Sequence, residues 1–219
     1  DGFFYPNPLE SVGQHQRKEW FGCACCPSNI SRFIPSVPGY VYAVKNNNLY
    51  VNLFMSSDSE IEVEKNTIQI KQTTNYPWTG DISIEVAPKK KQDFNLKIRI
   101  PGWVLGDVVP SDLYKYADKK NLSYSVKVNG TPVENELESG YFTIQRKWQK
   151  GDKVEIHFDM EPRTVKAHPL VEADAGKVSV ERGPIVYCAE WPDNEFSVLS
   201  AVIPQKPKFT VENEPNLLY

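Results

Sequence analysis

Lys153-Val154-Glu155-Ile156-His157-Phe158-Asp159-Met160 alternates without a break: Val154, Ile156, Phe158 and Met160 fall on one side, Glu155, His157 and Asp159 on the other. Successive side chains of a strand point to opposite faces, so this stretch predicts a strand with one dry and one wet side. The same period recurs upstream. "NLKIRI" (95–100) groups Leu96, Ile98 and Ile100 against Lys97 and Arg99, and "DISIEV" (81–86) groups Ile82, Ile84 and Val86. Strands of this kind bury one face and wet the other, as in a sandwich.

Working outward, turn signals recur between such runs. "YVYAVK" (40–45) and "LYVNLF" (49–54) flank Asn46-Asn47-Asn48. "EIEVE" (60–64) and "TIQIKQ" (67–72) flank Lys65-Asn66, and "SYSVKV" (123–128) leads into Asn129-Gly130, a strong hairpin signal. "GYFTIQRKW" (140–148) reaches the opening strand through Lys150-Gly151-Asp152. Beyond Pro162 a second group is expected: "KVSVERGPIVYCAE" (177–190), "SVLSAVI" (197–203) and "FTVEN" (209–213). Arg182-Gly183-Pro184 marks a bulge or edge break, because proline cannot donate to a ladder. Residues 103–122 read as a long polar loop. Trp148 is expected in the core, Trp103 as a plug at one end of the sandwich, and Tyr76-Pro77-Trp78 as a turn packed on a neighbouring domain. The fold class is all-β: antiparallel, jelly-roll-like sandwich domains. The first spans 40–162 and the second 163–219, possession of a complete second domain being left open at Tyr219; a boundary within 103–122 is the alternative.

Composition bounds the function. The 219 residues are 40% hydrophobic and 12% aromatic, enough for a sizeable core, and the net charge is -3. The one basic cluster, Lys89-Lys90-Lys91, lies between two strand-like runs and reads as a solvated turn, so no nucleic-acid partner is expected. No apolar run approaches the roughly 20 residues of a membrane helix, and no membrane partner is expected. The opening Asp1-Gly2-Phe3-Phe4-Tyr5 has neither an initiator methionine nor a basic start, which suggests a piece of a longer protein.

Residues 1–39 break the β pattern. They hold "WFGCACCPSN" (20–29), with Cys23, Cys25 and Cys26, three of the four cysteines. A helix is expected at about 28–34, started by Pro27 with Ser28 or Asn29 as cap and ended by Pro35, Pro38 and Gly39. Adjacent Cys25 and Cys26 are poorly placed to bond each other, and a Cys23–Cys25 bridge would close a very tight ring. Cys188 reads as a small buried hydrophobe within a strand. Three roles stay open for the cluster. It could be structural. It could bind zinc, but a second cysteine pair is missing, and His15, His157 and His168 complete no familiar spacing. It could be a reactive thiol, since sulfur at a helix N-terminus gains from partial positive charge. Cysteine usage leaves the compartment open between cytoplasm and a periplasmic or secreted location.

Taken together, "CACCPSNISR", "GYVYAVKNNNLYVNLF", "QTTNYPWTGDISIEV", "LKIRIPGW", "GYFTIQRKWQKGD" and "KVSVERGPIVYCAE" resemble, in order, the C-terminal portion of glycoside hydrolase family 127. This is the bacterial-type β-L-arabinofuranosidase family. The resemblance implies that 1–39 is the end of an N-terminal (α/α)6 catalytic barrel, a partner domain that precedes the sandwiches. It implies a retaining exo-glycosidase acting on arabinofuranoside-containing glycans. Zinc is implied as cofactor of the full-length parent, held by a glutamate, an upstream cysteine and the adjacent cysteine pair. Carried onto this sequence, Cys25 is nucleophile and zinc ligand and Cys26 a second ligand; Cys23 has no assigned role. The glutamate, the other cysteine and the acid/base carboxylate fall before Asp1 in the family pattern. The expectation is therefore that this chain alone is inactive and braces the barrel. A carbohydrate-binding module is the alternative, and it calls for a row of exposed aromatics on one face.

Overall fold

The computed structural model describes residues 2, 4, 11, 13, 15–22, 25–118, 120 and 122–212. The chain divides into two compact units: Val37–Tyr187, and Asp1–Ser36 together with Cys188–Tyr219.

Among the described residues the Val37–Tyr187 unit holds fifteen strands. They are β1 (Tyr42–Lys45), β2 (Asn48–Val51), β3 (Ser57–Val63), β4 (Asn66–Thr74), β5 (Asp81–Pro88), β6 (Gln92–Arg99), β7 (Tyr114–Tyr116) and β8 (Tyr124–Val128). There follow β9 (Thr131–Pro132), β10 (Leu137–Glu138), β11 (Tyr141–Trp148), β12 (Asp152–Phe158), β13 (Pro162–Ala167), β14 (Ser179–Arg182) and β15 (Ile185–Tyr187). One sheet runs β1-β2-β6-β11-β10, a second β3-β4-β5-β12-β8-β9, and a third β15-β14-β13-β7. All pairs are antiparallel except β2 with β6, which run parallel. The all-β, sandwich-like reading therefore holds.

The alternation seen in the sequence is what joins the first two sheets. Leu49 and Val51 of β2, Phe94, Leu96 and Ile98 of β6, and Phe142, Ile144 and Trp148 of β11 come from one sheet. Ile68 and Ile70 of β4, Ile82, Ile84 and Val86 of β5, and Val154, Ile156 and Phe158 of β12 come from the other, and all belong to one core. Trp148 is fully buried, stacks on Phe94 at 5.6 Å and donates its indole N–H to the Phe94 carbonyl at 3.0 Å. Burying a ring of that size is worth several kcal/mol only if its polar N–H finds such an acceptor. Trp103 is also in this core, edge-on to Phe158. Gly80 is required where it stands: a Cβ there would lie 2.0 Å from the Phe158 carbonyl oxygen, whose amide in turn donates to the Gly80 carbonyl. The Asn129-Gly130 turn is tight, both residues having positive φ (51° and 78°) between Val128 and Thr131.

Several expectations change. Residues 103–122 are not a plain loop. They contain β7, which pairs with β13, and the buried Trp103, Val104 and Leu122. Residues 197–203 form no strand: Val198–Ser200 is a 3-10 turn and Val202 is exposed, because an apolar run without a partner strand gains nothing from extension. Residues 209–212 also form no strand. Arg182-Gly183-Pro184 links two strands, β14 and β15, as a hairpin instead of bulging one. Lys89, Lys90 and Lys91 are exposed and connect β5 to β6, which lie in different sheets.

In the other unit, the one α-helix among the described residues, α1, spans Cys25–Phe33; the 3-10 segment Ile34–Tyr40 follows it and runs on past Ser36. Trp191–Asp193 is a 3-10 turn with Pro192 at its start.

Candidate functional site

The helix begins three residues earlier than expected, so Cys25 and Cys26 are its first two residues. The reason is local. Pro27 sits in the first turn, where its missing N–H costs nothing, and the helix extends back through it. Ser28 is consequently not a cap. Its hydroxyl donates to the Cys25 carbonyl at 3.0 Å, and the Ser31 hydroxyl donates to the Pro27 carbonyl at 2.8 Å. Arg32 stands in the last turn, the end that favours a cation.

The two sulfurs lie 3.8 Å apart, well beyond a disulfide bond, and both residues are exposed. Two thiolates bound to one tetrahedral zinc at about 2.3 Å each would stand about 3.8 Å apart. The donor type and spacing of Cys25 and Cys26 thus fit two corners of such a site. Among the described residues no group of three or more His, Cys, Asp or Glu comes together. His15, His157 and His168 therefore add no ligand; His157 instead pairs with Asp81 on the outer face of the sandwich. Cys23 lies outside the described residues. Cys188, expected as a buried core residue, is exposed just past the end of β15. It donates to the Glu190 carboxylate at 3.6 Å, and partial burial, then Glu190, pushes its thiol up, away from thiolate chemistry.

No residue of α1 is buried. Ile30, Phe33 and Ile34, at the spacing that shares one helix side, are 56%, 60% and 61% exposed, and Trp20 is 66% exposed. Large apolar side chains grouped in this way mark a surface that another element covers.

Two features were not foreseen. Arg17 forks onto Asp193, with bonds of 3.2 and 2.8 Å, and also pairs with Glu190. Neither residue type nor local spacing signals partners more than 170 positions away. In the sandwich unit, Arg163 is 5% exposed and lies over the Tyr116 ring at 3.5 Å while bonding Asp118 at 2.7 Å. It lines a hollow of about 380 Å³ with Leu105, Lys115 and Tyr116. The Arg163 guanidinium holds the Asp118 carboxyl below its usual range, and burial, then Glu181, pushes the Tyr116 hydroxyl up to about 12. Arg163 covers one face of that ring, a face a sugar would otherwise stack on. Trp78 is exposed at the end of its turn, and it does not form part of an aromatic row.

Comparison with known proteins bears on all three parts of the chain. Residues 48–160 match the family model of the β-L-arabinofuranosidase GH127 middle domain, 162–217 that of the glycoside hydrolase family 127 C-terminal domain, and 1–39 that of the β-L-arabinofuranosidase GH127 catalytic domain. A non-reducing end β-L-arabinofuranosidase of Bifidobacterium longum subsp. longum is 35% identical over 200 residues, covering 86% of this chain and 27% of that protein. A solved GH127 β-arabinofuranosidase is 60% identical with a TM-score of 0.93, over 100% of this chain and 34% of that one. A GH127 β-L-arabinofuranosidase from Geobacillus stearothermophilus T6 is 37% identical with a TM-score of 0.84, over 99% and 34%. The chain thus spans about a third of the length of these relatives.

Proposed function

Since the chain belongs to glycoside hydrolase family 127, matching its C-terminal portion, we propose that it is part of a retaining, zinc-dependent β-L-arabinofuranosidase with Cys25 as nucleophile. The observation that carries this reading is the pair of thiols 3.8 Å apart in the first turn of α1, inside the stretch that matches the catalytic-domain model.

Cys25 and Cys26 would hold the zinc together with ligands from outside the chain. When bound, the metal supplies a thiolate at neutral pH by displacing the thiol proton. The Cys25 sulfur attacks the anomeric carbon of the terminal arabinofuranosyl unit. The S–C bond forms as the bond to the leaving oxygen breaks, and that oxygen takes a proton from the carboxylic acid that the family pattern places before Asp1. Water then adds to the same carbon and gives a proton to the carboxylate left by the first step, the sulfur leaves as thiolate, and two inversions give net retention.

The sandwich has a bracing role in this reading, and Trp20, Ile30, Phe33 and Ile34 are the side chains that the rest of the catalytic domain would cover. The isolated 219-residue chain is expected to be inactive. An aryl β-L-arabinofuranoside assay of the chain beside its full-length parent tests both halves. Turnover by the short chain, or a parent with full activity after complete removal of zinc, would sink the proposal.

A further inference from the structure

No described residue of the Asp1–Ser36 and Cys188–Tyr219 unit is buried. Large apolar side chains nevertheless stand on both of its segments. Trp20 and the helix α1 expose theirs on the first. On the second, Phe196, Leu199, Val202, Ile203, Phe209 and Val211 are each more than a third exposed, and Val202 reaches 89%. A folded domain shields such side chains in a core, and among the described residues this unit has the side chains without the core.

The second segment starts from a fixed seat. Arg17 forks onto Asp193 at 3.2 and 2.8 Å and pairs with Glu190, and the Trp191 indole N–H donates to the Ser11 carbonyl at 3.3 Å. Ser11 and Arg17 lie in the stretch that matches the catalytic-domain model, so 195–212 sets out from residues of that domain. Beyond Ala201 no backbone hydrogen bond joins the described residues up to 212 to another segment. Pro204 and Pro207 interrupt the run, and proline cannot donate to a ladder, so the segment is not built to extend a sheet edge. Whatever holds it acts through its side chains.

Length identifies the occupant. The catalytic-domain model matches 1–39, too few residues to form a core alone, and this chain covers 34% of each solved relative. We propose that 195–212 is a strap that packs its apolar side chains across the remainder of the catalytic domain. The sandwich is then not the sole brace. The strap rests on the reading of the chain as the C-terminal portion of a longer hydrolase, and on nothing assigned to Cys25 or Cys26.

Val202→Cys, introduced into the 219-residue chain and into its full-length parent, tests it. Labelling by a charged maleimide is followed on the peptide that contains residue 202. The rate is expected to fall at least about tenfold in the parent, because the reagent reaches a covered side chain only through local opening. Val202→Asp with Phe209→Asp should lower the thermal midpoint of the parent by several degrees and leave that of the 219-residue chain where it is, since the charges cost free energy only where the strap is covered. Equal labelling rates in chain and parent overturn the strap, as does a midpoint that falls equally in both or in neither. Protection in the parent that vanishes on dilution assigns the segment to a second copy and overturns it too. A parent that is inactive or holds no zinc sinks the catalytic reading alone, and the labelling rates still decide the strap. They also decide it if the double variant of the parent does not fold.

Discussion

The sandwich and α1 sit at opposite extremes of self-sufficiency. In the sandwich, Ile70, Ile84, Leu96, Trp148 and Val154 are completely shielded from water by side chains from the same unit. In α1, apolar residues of the same kind point into solvent, and the two thiols have no further metal ligand among the described residues. The sandwich closes its own core, and stability belongs to it. The helix leaves its apolar side chains and both of its cysteines exposed. Changes to one region should leave the other nearly untouched.

The largest effect tests that separation directly. Cys25→Ser in the full-length parent is expected to lower kcat by at least about a thousandfold, the scale of losing a nucleophile, with no change in the urea midpoint of the sandwich. A shared loss of activity and stability would break the comparison. Next, Trp148→Ala should cost about 3–5 kcal/mol by urea denaturation, because it empties the centre of the core and leaves the Phe94 carbonyl without its donor. Gly80→Ala should cost roughly 1–3 kcal/mol, since backbone rather than a flexible side chain stands where the methyl must go.

Smaller effects sharpen the picture at the surface. The Asp118 carboxyl is held below its ordinary value of 3.8 chiefly by Arg163. A depressed carboxyl adds stability above its unfolded value and loses it as pH falls through the folded one. The urea midpoint should therefore drop below about pH 4, and Asp118→Asn should flatten that part of the profile. A profile that stays equally steep in the variant would assign the acid loss to other carboxyls. Smallest of all, Lys153→Ala removes an exposed pair with Glu155, and the urea midpoint should stay where it is.

Where period-two alternation was long, the reading of the chain and the structure agree: β5, β6 and β12 carry the expected inward residues. Where elements are short the sequence is silent. Tyr114–Tyr116 is three residues long, too few for a period to show, and becomes a strand only because β13 lies beside it. Val198 and Ile203 looked like strand residues for the opposite reason, having the composition of a strand but no neighbour. Arg163 escaped notice because nothing local says that an arginine will be buried over a tyrosine and paired to Asp118. At the candidate site, residue types alone drew attention to Cys25 and Cys26. Their separation of 3.8 Å and their place inside the helix emerged from the backbone that Pro27 permits.

By itself the sequence determined the all-β class, the inward faces of the long strands and the Asn129-Gly130 turn, because each is a property of neighbours along the chain. The tertiary structure alone decided the parallel pairing of β2 with β6, the strand within 103–122, the exposure of Cys188, and the grip of Glu190 and Asp193 on Arg17. Those depend on which distant segments meet. No pattern of residues encodes a meeting across 173 positions until the chain that separates them has folded.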